Sequence, residues 1–203
     1  GLQQNSGGMI RFFDILFSAL GLIVLSPLFL VLYLLIRLES RGGGFYSQQR
    51  IGLGGKPFRL YKFRSMRVGS DKKGLITVGE HDNRITRTGA FIRKYKLDEL
   101  PQLWNVLTGD MSLVGPRPEV EKYTSLYTPE QRRVLDVRPG ITDWASIEYV
   151  DENRILGEAS DPDKAYVEQI MPAKIALNMR YINHRTVGEY FRIIFATFVG
   201  IAR

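Results

Sequence analysis

The stretch ILFSALGLIVLSPLFLVLYLLI, residues 15–36, decides the fold. It is an almost unbroken apolar run with Ser26-Pro27 in its middle. About 20 apolar residues suffice to cross the hydrocarbon core of a bilayer, so the run qualifies as a membrane segment by length. Two features set it apart from a plain span. Pro27 lacks an amide donor and its ring clashes with the carbonyl four residues earlier, so a bend is expected there, and Ser26 can satisfy the freed carbonyl in lipid. The flanks are basic on both sides, Arg11 before and Arg37 and Arg41 after, so the positive-inside rule assigns no orientation. A kinked single span and a helix-break-helix hairpin that enters and leaves by one face both fit these residues. Asp14, one turn after Arg11, reads either as its ion-pair partner near the interface or as part of a solvated helix end.

The remaining composition narrows the chemistry. The chain has 203 residues and a net charge of +7, which favours an acidic partner such as anionic lipid or phosphate. It contains no cysteine, which excludes disulfides, zinc-thiolate sites and thiol nucleophiles. Two histidines, His81 and His184, stand too far apart in sequence to suggest a His-based metal site. The leading GLQQNSGG, residues 1–8, is small and polar and is set outside the fold. No cleavage site follows the apolar run, so it does not read as a cleavable signal peptide.

Beyond RGGG at residues 41–44, FYSQQRIG and PFRLYKFRSMR read as two strands joined at LGGK. Lys62 and Arg64 then point to one face, where they would hold a phosphate or form a solvated edge. Residues 69–83 read as a polar loop and 91–95 as a short helix. LDELPQLWNVL opens a second helix, with Asp98 as its cap, Pro101 in the first turn and Leu100, Leu103, Trp104 and Leu107 as a buried stripe. Thr128 and Gln131 form a capping box, a later helix is interrupted at Pro172, and Thr186 and Glu189 open a C-terminal apolar helix. That last helix lies in a membrane interface or is buried.

The densest chemistry lies in KYKLDELPQLWNVLTGDMSLVGPRPE. Asp98 and Glu99 are adjacent carboxylates near Arg93, Lys94 and Lys96. Neighbouring helical residues point about 100° apart, so one could serve as nucleophile or metal ligand and the other as base. A cap followed by a first-turn acid explains the same pair without catalysis. Arg117 is held between Pro116 and Pro118. The Asp-x-Asp of residues 161–163 resembles a metal-binding pattern but reads better as a helix cap at Asp161 followed by Pro162.

These residues resemble the bacterial sugar transferase family, the small monotopic phosphoglycosyl transferases. The likeness runs through RFFDILFSALGLIVLSPLFL, FYSQQRIG, FRLYKFRSM, IRKYKLDELPQLWNVLTGDMSLVGPRP and DVRPGIT. It implies a mixed α/β fold, mainly helical, with a re-entrant hairpin over residues 9–40 broken at Ser26 and Pro27. A small β element and interfacial helices would belong to a cytoplasmic catalytic domain over 41–203. The implied reaction moves a sugar-1-phosphate from a UDP-sugar to a polyprenyl phosphate and releases UMP, at the cytoplasmic face of the bacterial inner membrane. By the same resemblance Asp98 attacks the sugar-bearing phosphorus to give a phosphosugar-aspartyl intermediate, and Glu99 helps deprotonate the acceptor. Mg2+ is expected at Asp98 and the diphosphate, with Lys62, Arg64, Arg93 and Arg117 around the phosphates. Anionic lipid is an expected partner, nucleic acid is not, and a homodimer is allowed for. The chain looks like the catalytic-core form, without a multi-span N-terminal domain. After Thr142 it departs from the family pattern, reading DWASIEYVDENRI, so no sugar-contacting residue is carried over. Two rival classes stand beside this one: a non-catalytic basic membrane module, and an inverting glycosyltransferase built on Asp161 and Asp163.

Overall fold

A computed structural model describes residues 2–77 and 82–203, with side chains from residue 6 onward. His81 and part of the 69–83 loop lie outside the described residues. Helix α1 (Leu2–Val24) and helix α2 (Ser26–Glu39) meet at Leu25. The break falls where the proline demands it: Pro27 sits in the first turn of α2, and Ser26 Oγ donates to Ile23 O at 2.8 Å. Residues 2–8 are helical and lead into the apolar part of α1. Among the described residues one helix, Ser6–Val24, is long and apolar enough to cross a membrane.

Both helices of the pair dock on the rest of the chain. Midway along α1, Asp14 is buried and accepts from Ser112 Oγ at 2.7 Å, Leu113 N at 3.0 Å and Tyr190 Oη at 2.8 Å. Arg11 instead donates to Val106 O and Leu107 O, at the carbonyl end of a later helix, which favours a cation. The expected Arg11–Asp14 ion pair therefore does not form: each side chain has stronger buried partners elsewhere. At the end of α2, Glu39 accepts from Arg87 N and Thr88 N, both at 2.7 Å.

Strands β1 (Phe45–Ile51) and β2 (Pro57–Phe63) form an antiparallel hairpin. Helix α3 (Arg87–Lys94) follows, capped by Thr86, whose Oγ1 accepts from Gly89 N. Helix α4 (Gln102–Thr108) buries Gln102, Asn105 and Val106, and of the predicted stripe Leu100, Leu103 and Leu107 are half-buried. Trp104 is 52% exposed, and the amide of Asn105 explains the rotation. Its Nδ2 donates to Arg59 O at 2.7 Å and its Oδ1 accepts from Tyr61 N at 3.1 Å, locking α4 against β2.

The C-terminal half wraps around this unit. Strand β3 (Ser112–Val114) pairs in parallel with β4 (Gly140–Thr142). Between them lie α5 (Glu121–Thr124) and a 3-10 turn, Gln131–Asp136, opened by the predicted capping box of Thr128 and Gln131. Helices α6 (Trp144–Glu148), α7 (Glu152–Glu158) and α8 (Pro162–Ala165) lead through a π-helical segment into α9 (Met171–Asn183), so the interruption falls just before Pro172. Helix α10 (Val187–Ile201) buries Tyr190 and Ile193 against Ile10 of α1 and leaves Phe195 and Phe198 about 70% exposed. The result is a mixed α/β chain, mainly helical, with small sheets.

Candidate active site

The carboxylate pair sits in a 3-10 turn, Leu97–Glu99, that precedes α4. Asp98 is therefore not a helix cap; Pro101 takes that position and makes no side-chain cap bond. Lys96 adopts a left-handed backbone with φ 54°, the one non-glycine residue to do so among the described residues. That conformation costs energy for a side chain with a Cβ and turns the chain sharply out of α3. The flanking Leu97 and Leu100 pack into the cluster of Leu32, Ile36, Phe63 and Ile92. One apolar cluster thus ties the carboxylate turn to α2, β2 and α3.

The two carboxylates meet different surroundings. Glu99 Oε1 lies 2.7 Å from Arg117 Nη1 and 4.0 Å from Lys62 Nζ. Burial opposes its ionisation, but Arg117, then Lys62 and Lys96, hold it well below the usual carboxylate range. Asp98 is 7% exposed and accepts no hydrogen bond, and forms no ion pair within 4.0 Å, among the described residues. Burial and the neighbouring Glu99 charge push its carboxyl up, against the pull of Lys62, Arg93 and Arg117. Two like charges side by side cannot both be stabilised by the same cations, and Glu99 holds the nearer ones.

The cations come from separate elements. Lys62 enters from β2; burial and Arg117 outweigh the carboxylates and lower its ammonium to about 8. Arg93 extends from the last turn of α3 and is steadied by Ser65 Oγ at 3.4 Å and Thr77 Oγ1 at 3.1 Å. Arg117 rides on the GPRP loop, whose backbone is pinned on both sides. Gly140 N donates to Pro116 O at 2.9 Å, and Arg50 Nη1 donates to Pro118 O at 2.7 Å. A Cβ on Gly140 would come within 2.0 Å of Gly115 N, so only glycine admits this approach.

Arg64 lines the same cleft as this group, but its hydrogen bonds lie elsewhere. Strand β2 ends at Phe63, so the two-residue alternation from Lys62 is lost. Its guanidinium turns to the end of α2, donating to Gly43 O, Ser40 Oγ, Ser40 O and Met66 O. Burial alone perturbs it, with no contribution from the carboxylate pair. The structure thus makes Arg64 a brace for the end of α2.

A cleft of about 1030 Å³ is lined by Asp98, Glu99, Lys62, Arg93 and Arg117. It also takes in residues that sequence reasoning missed. Arg50 supports Pro118, and Glu119 accepts a hydrogen bond from the Tyr166 hydroxyl. The alternation Tyr46, Gln48, Arg50 in β1 was the available signal, since Tyr46 pairs across the hairpin with Lys62. Asp143, Glu152 and Lys174 line the cleft as well, with Lys174 Nζ 2.9 Å from Glu152 Oε1. Asp161 caps α8 through Lys164 N, and Asp163 binds Tyr123 Oη at 2.7 Å and Lys122. Those engagements are the cap and a surface ion pair. Among the described residues no group of three or more acidic or histidine side chains gathers to hold a metal. Mg2+ commonly takes only one or two carboxylates and fills its sphere with substrate phosphates and water. The uncommitted Asp98 carboxylate, facing a basic cleft, fits that pattern.

The Bacterial sugar transferase family model matches residues 6–203. The chain is 38% identical over 192 residues to UDP-N-acetylgalactosamine-undecaprenyl-phosphate N-acetylgalactosaminephosphotransferase of Aeromonas hydrophila, covering 92% of this chain and 42% of that one. It is 36% identical over 191 residues to UDP-glucose:undecaprenyl-phosphate glucose-1-phosphate transferase of Escherichia coli (strain K12), covering 91% and 38%. It is 39% identical over 197 residues to the exopolysaccharide production protein PSS of Rhizobium leguminosarum bv. phaseoli, covering 94% and 93%. The chain thus spans about two fifths of the first two relatives and nearly all of the third.

Proposed function

The chain belongs to the bacterial sugar transferase family, and on that premise we propose that it transfers a sugar-1-phosphate from a UDP-sugar to undecaprenyl phosphate, as an early step of bacterial polysaccharide synthesis. The names of two relatives support the substrates. The observation that carries the reading is the unequal carboxylate pair: Glu99 is held by Arg117, and Asp98 is buried, unpartnered and surrounded by cations.

In this mechanism an Asp98 carboxylate oxygen attacks the sugar-bearing phosphorus. The new P–O bond forms as the diphosphate bond breaks, and UMP leaves. An oxygen of the polyprenyl phosphate then attacks the same phosphorus and frees Asp98. Phosphoryl transfer depends mainly on positioning and charge neutralisation, which Lys62, Arg93 and Arg117 supply. Arg117 presents a planar fork suited to phosphate. When substrate phosphate draws Arg117 away, Glu99 loses its strongest partner and its proton affinity rises, as a base requires. Mg2+ held by Asp98 would add charge neutralisation at the diphosphate.

The re-entrant reading of α1 and α2 rests on docking. Asp14, midway along α1, and Glu39, at the end of α2, bind the same body through buried or direct hydrogen bonds. One continuous helix between them would hold its ends about 39 Å apart. Exposed apolar residues of α1 and α2, with Phe91, Trp104, Phe195 and Phe198, supply surface for an interface at the cytoplasmic face. Meeting a lipid phosphate there suits a carboxylate turn anchored on α2.

UMP release by purified protein with undecaprenyl phosphate and Mg2+, across several UDP-sugars, tests the reaction. Release with one or two donors, abolished by Asp98→Asn, is expected. Release that survives Asp98→Asn overturns Asp98 as the nucleophile.

A further inference from the structure

Away from the phosphate-binding cations, one wall of the cleft carries polar atoms with no assigned task. Asp143 Oδ2, Ser146 Oγ and Asn178 Oδ1 are buried and have no hydrogen-bond partner among the described residues. All three residues line the same cleft as Asp98 and Arg117. Asp143 is 1% exposed; its Oδ1 accepts from Ser146 N at 2.9 Å and caps α6, and the Ser146 side chain also favours its ionised form. Asn178 belongs to α9, which packs against α6. The three side chains therefore line the cleft from two neighbouring elements.

Such atoms are exceptional. Buried polar groups are almost always paired, and one left unpaired is destabilising. A ligand that supplies the missing partners recovers that cost on binding. The partner chemistry follows from the donor set. A carboxylate oxygen and an amide oxygen only accept, and a serine hydroxyl accepts or donates, so the wall calls for donors. Phosphate offers acceptors and negative charge, which Asp143 disfavours. Uracil offers one N–H beside two carbonyl oxygens. A sugar ring offers several hydroxyls, with an N–H where it carries an acetamido group. Asp143 also lies within electrostatic reach of Arg117 and Lys174, so this wall adjoins the cation that would hold the donor phosphate.

We propose that Asp143, Ser146 and Asn178 form the glycosyl subsite of the cleft, accepting hydrogen bonds from the hydroxyls or acetamido N–H of the donor sugar. The inference rests on the sugar-phosphate transfer reading above. It assigns donor choice to the segment after Thr142 and to the facing side of α9.

The test compares kcat/KM for UDP-glucose, UDP-galactose, UDP-N-acetylglucosamine and UDP-N-acetylgalactosamine in the wild type, Asp143→Asn and Asn178→Ala. Binding of UMP alone is measured in parallel. Asp143→Asn keeps an oxygen that can cap α6, and Asn178→Ala probes the subsite from a different helix. Each variant is expected to lose about 10- to 100-fold in kcat/KM on the preferred donor and to flatten the donor ranking. UMP affinity should stay unchanged, since UMP lacks the transferred sugar. An unchanged donor ranking and rate, or an equal loss of UMP affinity, overturns the glycosyl subsite alone. Absence of UMP release by the wild type from every donor overturns the transfer reading itself, and the subsite with it.

Discussion

Arg117 Nη1 stands 2.7 Å from Glu99 Oε1, and that pairing leaves the adjacent Asp98 carboxylate without a partner of its own. Two acids next to each other in sequence thus differ in kind: one is a held anion, the other a buried group with free oxygens. A nucleophile must not be tied to a cation that blocks its attack. A base in waiting can be, provided the substrate takes the cation away.

Arg117→Lys tests that exchange. Lysine keeps the charge but loses the planar fork. The variant should fold and show kcat/KM for the UDP-sugar reduced about 10- to 100-fold, mostly through KM. Wild-type kinetics in this variant would mean that Arg117 serves Glu99 and not the phosphate.

The charges also set a pH profile. The Lys62 ammonium is lowered to about 8, so its positive charge is lost as pH rises through that value. The rate should fall above pH 8, and Lys62→Arg, which stays charged, should move that alkaline limb upward. Asp98 must be ionised to attack, and burial with Glu99 raises its pKa. Lys62 opposes the rise, so Lys62→Met should shift the acid limb to higher pH. Profiles of kcat/KM, which report the free enzyme, check both signs.

Arg64 gives the contrasting case. Three of its four hydrogen bonds join the chain just after β2 to residues just after α2, and none reaches the carboxylates. Arg64→Met should lower stability by about 2–4 kcal/mol, seen as an earlier thermal transition in detergent. KM of the folded protein should be unaffected. A stable variant with raised KM would restore Arg64 to the phosphate site.

The helix pair is open to a labelling test because the chain has no cysteine. Met9→Cys and Leu38→Cys place single thiols at exposed positions flanking the apolar run. An impermeant maleimide should reach both from the same side of sealed vesicles. Labelling from opposite sides would make the pair a span.

Much of this was legible in the sequence because it rests on local rules. Pro27 fixed the break, the Thr128–Gln131 spacing gave a true capping box, and Arg117 between prolines pointed to a rigid presentation. Readings failed where a distant partner outweighed the local rule. Trp104 turned outward because Asn105 is claimed by the backbone of β2. Arg64 left the Lys62 face because the strand ended one residue earlier. Arg11 and Asp14, one turn apart, each found a partner roughly 95 or more residues away. The wall of Asp143, Ser146 and Asn178 could not be seen in sequence, since it exists only where α6 meets α9.

The most direct test omits the acceptor. Purified protein mixed rapidly with its UDP-sugar and Mg2+, without undecaprenyl phosphate, should release a burst of UMP approaching one per chain and then stop, with the sugar phosphate bound covalently at Asp98. UMP that appears only once undecaprenyl phosphate is added would contradict a covalent intermediate and favour direct transfer between the two substrates.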